Sequence, residues 1–434
     1  MASDPNKKPK ANIFRSERWK QDHSSSTRIQ SPRPEQQVCK IAMTCGACKY
    51  INSSYEAGLT SKYEAALQLF RQAGLLEGAT VVSPVPSPRI LGYRAHAKLA
   101  VRPANEALLR PKEGERFAIG LFQPDSHQLV HIDTCPLHRS SINRLLPDLK
   151  AELEASSLAP YHEASHAGQI RYIAVRAAHL TEELMLTFVC TDESVKKELK
   201  AMILRLRQKE HVIVSAFINV NSERTNSIFG FDTKKIVGAD GLRESLCGLI
   251  FEVGPTSFFQ VNPWQAEHIY RRVEQLAGRA TEGEVAWDLY CGTGQISLLL
   301  GQQGYRTLGI EENPQAIGDA EANVQRNQIT GAAKPYYISG RVEDLLGRFP
   351  SWSEKPALIV ANPSRRGLAA SARQMIREGL VPRSDSRLIY VSCEAVTLVR
   401  DLQELLDSGR RLRQLECFDM FPFTEKLEWL AVVQ

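Results

Sequence analysis

Val285-Ala286-Trp287-Asp288-Leu289-Tyr290-Cys291-Gly292-Thr293-Gly294 is an apolar run that ends in a glycine turn. A short run of this kind reads as a strand buried on both faces. Its glycines let the backbone approach a bound cofactor closely. Downstream, Leu358-Ile359-Val360-Ala361-Asn362-Pro363 is a second such run, ending in Asn-Pro. Ile389-Tyr390-Val391-Ser392-Cys393 is a third, ending in a thiol. Strands that each deliver chemistry at their C-terminal ends are how an open α/β sheet builds an active site. From about residue 251 strand and helix patterns alternate, which implies a parallel sheet with crossover helices.

The glycine turn has a partner. Leu308-Gly309-Ile310-Glu311 ends the next strand in a carboxylate, about twenty residues on, where a ribose diol would be bound. The third glycine of the dinucleotide pattern is missing and the loop is short. That favours S-adenosylmethionine over a pyrophosphate cofactor. In Asn362-Pro363-Ser364-Arg365-Arg366-Gly367-Leu368 the proline ends sheet pairing, and the Asn362 amide can both donate and accept. It suits a methionine amino group or the edge of a uracil; a capped turn is the plainer alternative. Arg365 and Arg366 read either as contacts to RNA phosphate or as surface charge. Glu394 begins an amphipathic helix directly after Cys393. The expectation is a thiol whose pKa that helix N-terminus lowers, a nucleophile rather than an inert buried cysteine.

With 434 residues the chain is long enough for two or three domains. Its 43% hydrophobic and 24% charged content is that of a soluble globular protein. No run approaches the roughly 18 apolar residues of a membrane span. The N-terminus is polar and basic with no apolar core, so a secretory leader is not expected and a cytoplasmic, reducing location is. The nine cysteines then read as thiols, metal ligands or nucleophiles rather than disulfides. The net charge of +5 says little about nucleic acid, but its distribution says more. Residues 1–37 carry Lys7, Lys8, Lys10, Arg15, Arg18, Lys20, Arg28 and Arg33 among Ser, Gln, Asn and Pro. Such a segment buries no core and is expected to be a disordered basic tail, either solubilising or touching phosphates.

Residues 38–54 hold Cys39-x5-Cys45-x2-Cys48, and the candidate fourth ligand is Cys135 in Asp133-Thr134-Cys135-Pro136-Leu137-His138. The set fits zinc or an iron–sulfur cluster, and spacing does not separate them. A redox disulfide is the weaker reading. Leu59, Tyr63, Ala66, Leu67 and Phe70 recur at helical spacing, bounded by Gly74 and Gly78, and Pro84, Pro86 and Pro88 form a linker. This 55–85 stretch is expected to pack on the C-terminal domain. Residues 86–250 read as a β-rich central domain, with strands at 97–101, 118–122, 129–132, 170–176, 184–189 and 212–220. Helices are expected at 141–155 and 194–208. Residues 251–434 form the α/β domain. There are no internal repeats.

Several separated motifs carry a resemblance: the three clustered cysteines, Tyr93-Arg94-Ala95-His96-Ala97-Lys98, Cys135-Pro136-Leu137, Phe258-Phe259-Gln260-Val261-Asn262, Asp288–Gly294, Asn362–Gly367, Ser392-Cys393 and Phe418-Asp419-Met420-Phe421-Pro422. Over residues 38–434 the chain resembles the RNA uracil-5-methyltransferases, most closely the iron–sulfur branch that acts on 23S ribosomal RNA. The resemblance implies a Rossmann-like class I S-adenosylmethionine-dependent methyltransferase domain at 251–434. It implies a [4Fe-4S] cluster on Cys39, Cys45, Cys48 and Cys135. It also implies S-adenosylmethionine contacts from Gln260, Tyr290, Gly292, Gln295, Glu311 and Asn362, with Cys393 as nucleophile and Glu428 as general base.

Many members carry Asp-Pro-Pro-Arg where this chain has Asn362-Pro363-Ser364-Arg365. The Asn form is similar to the sub-branch that modifies a hairpin loop of 23S RNA. Ser364, His96 and Phe423 depart from the family pattern. No separate β-barrel RNA-binding module is expected, so grip on RNA falls to the cysteine region, the β-rich middle and the tail. The expected enzyme is a monomer that methylates carbon 5 of a single-stranded or flipped uridine. A transfer-RNA substrate is one alternative, opposed by the cysteine set. A non-catalytic iron–sulfur RNA-binding protein is the other, opposed by intact Cys393 and Glu428.

Overall fold

Alternate residues of the Val285–Leu289 strand belong to different cores. Val285, Trp287 and Leu289 pack on one face of the sheet, and Ala286 packs on the other. The same alternation runs through Leu358–Ala361 and Arg387–Ser392: Ile359, Ala361, Leu388 and Tyr390 face one way, Leu358, Val360, Ile389 and Val391 the other. Strands covered on both faces have no polar side to show, which is why these runs are apolar throughout. The computed structural model describes residues 38–345, 349–353, 356–377, 386–407 and 409–434, all within one compact unit. The expected basic tail lies outside the described residues.

The first eight-stranded sheet has the spatial order Tyr336–Ser339, Arg306–Glu311, Val285–Leu289, Leu358–Ala361, Arg387–Ser392, Glu428–Val433, Leu412–Phe418, Thr80–Val81. The first five strands are parallel. The chain builds outward from Val285–Leu289 in one direction, then returns to build in the other. A cleft therefore opens where the order reverses, between Val285–Leu289 and Leu358–Ala361.

Three expectations need correction. The sheet is mixed, because Glu428–Val433 runs antiparallel to both its neighbours. A short loop joins Leu412–Phe418 to it, and a short loop allows only an antiparallel return. Next, the proline segment is more than a linker. Thr80–Val81 pairs in parallel with Leu412–Phe418, and the amides of Val82 and Val85 donate to Leu415 and Cys417 carbonyls at 2.9 Å. Prolines lack the donor, so this pairing sits at the sheet's edge. Finally, residue 250 falls inside a hairpin, Leu242–Leu246 with Leu249–Val253.

The helix Tyr55–Gln72 is capped by Ser54, whose hydroxyl accepts from the Ala57 amide at 3.3 Å. Leu59, Leu67 and Phe70 are buried on the Trp287 face of the sheet. Phe70 and Tyr63 lie 4.9 and 6.1 Å from the Trp429 ring. Burying each large apolar side chain contributes about 1.5–3 kcal/mol, enough to hold this helix on the sheet.

The second eight-stranded sheet runs Ala107–Leu109, Leu129–His131, Phe117–Phe122, His96–Pro103, Ile170–Ala177, Leu184–Cys190, Ile213–Val220, Asp232–Gly238. Helices Ser140–Glu154 and Lys196–Gln208 cover one face. Along His96–Pro103, Ala97, Leu99 and Val101 enter that core. His96, Lys98, Ala100 and Arg102, on the opposite face, line a cavity.

Candidate active site

Five chemical groups stand in order along one edge of the first eight-stranded sheet. Glu311 ends one strand, the glycine turn follows the next, and Asn362 and Cys393 follow two more. Glu428 begins the reversed strand, so reversal brings a strand's start to the edge where parallel strands end. These residues, with Gln260, Tyr290, Gln295 and Arg365, line one cavity of about 960 Å³. Every residue predicted for catalysis and donor binding is thus brought to one place.

The turn is held by its backbone. Tyr290, Gly292 and Gly294 have φ of 63°, 55° and 84°. A Cβ on Gly294 would lie 2.4 Å from the Tyr337 hydroxyl, so glycine is required there. Tyr290 is no glycine, and its left-handed conformation stores of order 1–3 kcal/mol. Its hydroxyl is buried without a partner. Glu311 is fixed against the turn: one carboxylate oxygen accepts from the Gly292 amide at 3.1 Å, the other from the Asn313 amide at 3.0 Å. Asp288, quoted in sequence only as part of its strand, is fully buried. It accepts from the Ser297 hydroxyl at 2.5 Å, and its other oxygen has no partner. Burial pushes its pKa up to about 7.

The thiol and the carboxylate come from neighbouring strands. Ser392 pairs with Trp429, and Cys393 and Glu428 lie one residue beyond on either side. Burial pushes the Glu428 carboxyl up to about 8 against the lowering pull of Arg365. Burial, and next the Glu428 charge, push the Cys393 thiol up to about 11, with Arg365 lowering it. The expected lowering by the helix N-terminus is therefore outweighed. The helix starts at Ala395, behind Glu394, whose own charge adds to the rise. Arg365 is the residue sequence reading undervalued: exposed at its own position, it is the cation acting on both groups. Cys291 lies at the same edge but is buried, and burial, then Asp288 and Glu311, push its thiol far above the usual range.

A second cavity, of about 670 Å³, is lined by Cys39, Cys45, Cys48 and Cys135 together with His96, Lys98 and Arg102. Arg94, Phe258 and Val261 line both cavities. The loop that leads to Glu428 divides them, with Phe421 on the catalytic side and Thr424 on the cysteine side. Burial pushes Cys48 up to about 12, with Cys135, Cys45 and Cys39 adding to the rise and Arg94 opposing it. Burial also raises Cys45 and Cys135, each against backbone amides that lower them: Ala47 for Cys45, Leu137 and His138 for Cys135. All four are free thiols. Among the described residues, no group of three or more His, Cys, Asp or Glu is arranged to hold a metal ion. The described residues also include no helix long and apolar enough to cross a membrane.

The chain matches the model of the tRNA (uracil-5-)-methyltransferase family over residues 92–333 and 353–433. An uncharacterized RNA methyltransferase of Oceanobacillus iheyensis is 33% identical over 394 residues, 89% of this chain and 81% of its own length. One of Geobacter sulfurreducens is 32% identical over 414 residues, 95% of this chain and 80% of its own length. The solved Pyrococcus abyssi tRNA (uracil-54, C5)-methyltransferase, in complex with S-adenosyl-L-homocysteine, aligns with a TM-score of 0.67 at 25% identity, covering 88% of this chain and 83% of that one. Fold and matches define an α/β methyltransferase enzyme. The chain belongs to the RNA uracil-5-methyltransferase family.

Proposed function

We propose that this enzyme methylates carbon 5 of one uridine in 23S ribosomal RNA through a covalent adduct with Cys393. The observation that carries the reading is the placement of Cys393 and Glu428 one residue beyond a paired register, in one cavity with Glu311 and the glycine turn. Carbon 5 of uracil is a poor nucleophile. Thiolate attack at carbon 6 makes an enolate, which activates carbon 5. S-adenosylmethionine, when bound, supplies the methyl group. Glu311 would accept from its ribose hydroxyls. Gln260, Tyr290, Gly292, Gln295 and Asn362 would line the rest of its seat.

Glu428 then takes the proton from carbon 5, and elimination frees Cys393. A carboxylate with a pKa of about 8 suits that task, since a base works best when its pKa lies near the working pH. Arg365 favours the ionised form of both groups and so supports attack and proton removal alike. The uridine must leave its stack to enter a cavity of this kind.

Cys39, Cys45, Cys48 and Cys135 are the residues that would hold a [4Fe-4S] cluster. Their shared cavity, their mutual electrostatic burden and the amides aimed at Cys45 and Cys135 support the assignment. Thiols that oppose one another's ionisation ionise readily when a cation joins them. Held by these four residues, a cluster would organise a segment with little core of its own, in a monomer of the reducing cytoplasm. The 23S reading rests on this cysteine set and on Asn362-Pro363-Ser364-Arg365. The Pyrococcus abyssi relative acts, by its title, on transfer RNA, and this favours transfer RNA as the second reading. Mapping 5-methyluridine in 23S and transfer RNA from cells lacking the gene decides between them. Loss of a single 23S methyl group is expected, and loss confined to transfer RNA overturns the first reading.

A further inference from the structure

The loop between Phe418 and Glu428 closes around a lysine from the other end of the chain. Lys62 lies on the buried side of the helix Tyr55–Gln72, its side chain 2% exposed. Its ammonium donates to the Asp419 carboxylate at 2.6 Å and to the Phe421 and Lys426 carbonyls at 3.1 Å each. An ammonium has three protons, and each finds one acceptor. Asp419 and Phe421 are on the loop's outgoing arm. Lys426, two residues before Glu428, is on the returning arm.

Neighbouring contacts act on the same loop. The Tyr93 hydroxyl donates to the Pro422 carbonyl at 3.1 Å. The Tyr50 amide donates to the Phe423 carbonyl at 3.0 Å. Phe423 itself is held at φ 65°, a conformation a bulky residue keeps only when its surroundings impose it. On the far side, the Lys426 ammonium meets the Glu394 carboxylate at 2.5 Å, beside Cys393.

Stability alone does not call for an ion pair here. Replacing a buried pair by apolar residues is often neutral or stabilising, because both charges lose their hydration. Burial indeed pushes Lys62 down and Asp419 up, toward their neutral forms. What the pair supplies and a leucine cannot is direction: two backbone carbonyls and one carboxylate fixed around a point.

We infer that Lys62 is a positioning residue for Glu428, fixing the two arms of the 419–427 loop and so the carboxylate at its end. This rests on the reading that Glu428 takes the proton from carbon 5. Misplacing a catalytic group by about 1 Å can slow a step about 100-fold. Attack and methyl transfer, which Cys393 and the donor seat perform, do not need that placement.

The test uses the full-length enzyme, methyl-labelled S-adenosylmethionine, and 23S and transfer RNA from cells lacking the gene. Lys62→Met, Lys62→Met/Asp419→Asn and Glu428→Gln are compared with wild type for label in a denaturation-resistant protein–RNA adduct and for label released as product. The double variant leaves no unpaired buried charge, so it reads function if the single variant unfolds. Expected for the folded Lys62 variants is at least about tenfold more trapped adduct than wild type, with KM for the methyl donor unchanged. A merely structural lysine would lower adduct and product together. If Glu428→Gln traps adduct but the folded Lys62 variants turn over cleanly, the positioning role is wrong and the base assignment survives. If Glu428→Gln traps none, the base assignment fails and the inference falls with it. Loss of fold in both Lys62 variants would make the pair structural and also overturn it.

Discussion

The two cavities share a wall but are built on opposite plans. The catalytic cavity hangs its groups on the ends of strands buried on both faces, so hydrogen-bonded register sets their spacing. One side of the cysteine cavity is strands, with residues of His96–Pro103, Phe117–Phe122 and Ile170–Ala177 lining it. Its other side is residues 38–54, where Ala42–Cys45 is a four-residue helix and Ala42 and Ile51 are the buried apolar anchors. Register needs no cross-link to be rigid. A segment with two buried apolar anchors does, and the cluster proposed on its thiols would supply one. The chemistry of the first cavity should therefore fail by losing a reacting group, and that of the second by losing a fold.

The largest expected effect tests the first half of that contrast. Cys393→Ala should lower methylation on the order of 10⁴-fold or more, as removal of a covalent nucleophile does, and form no RNA adduct. Cys291, at the same edge, should not replace it, because its thiol is buried and pushed far above the usual range. An adduct on Cys393→Ala would shift the nucleophile to Cys291. Glu428→Gln should still attack and methylate, but release product about 10²–10⁴-fold more slowly, the usual range for general-base loss. Normal turnover would move the role to Glu425 or to water.

The second half is tested by Ser in place of Cys39, Cys45, Cys48 or Cys135. Each should lower iron content and the thermal midpoint together, with methylation falling only as the fold does. Full iron on Cys135→Ser, measured by absorbance and metal analysis, would remove it from the ligand set. Glu311→Ala should weaken S-adenosylmethionine binding about 10- to 150-fold, since a charge-assisted hydrogen-bond pair contributes about 1.5–3 kcal/mol. RNA affinity should stay as it is, and unchanged donor affinity by calorimetry would place Glu311 elsewhere.

The smallest effect is in pH. Glu428 acts as a base only when ionised, so release of product from a preformed adduct, a step that no longer needs the free Cys393 thiolate, should fall about tenfold per unit below a pH of about 8. Its folded pKa lies above the ordinary 4.5, so the native state binds more protons than the unfolded one and stability falls as pH rises from about 4.5 to 8. Glu428→Gln removes that loss. Its melting temperature should exceed that of wild type by a margin that grows across the same window, and parallel melting curves would mean a carboxyl near its ordinary pKa.

The layout of the glycine turn and Glu311 at neighbouring strand ends was legible because its signals are local. A strand, a glycine turn and an acid at the next strand's end lie within one supersecondary unit, and burial on both faces writes itself as unbroken apolar runs. The reversed strand was not legible, since side-chain alternation has the same period in either direction. Glu428 came from resemblance alone. Thr80–Val81 was hidden among prolines, and two residues carry no periodicity. Arg365 looked like surface because it is at the surface; its reach toward Cys393 and Glu428 depends on a turn no pattern encodes. Lys62 and Asp419 are 357 residues apart, and a lone lysine on an apolar helix face names no partner.

Glu428–Val433 is threaded between Arg387–Ser392 and Leu412–Phe418, two strands that leave the ribosome before it. Until it arrives, the sheet is split and those strands present unpaired edges to each other across a gap. A nascent or clipped chain ending before residue 428 would own the thiol but not the carboxylate, the arrangement most able to seize an RNA and not let it go. Such a chain also lacks the strand that closes its sheet, and open edges are what aggregation acts on. In the proposed mechanism, release of the RNA and closure of the sheet thus depend on one and the same strand.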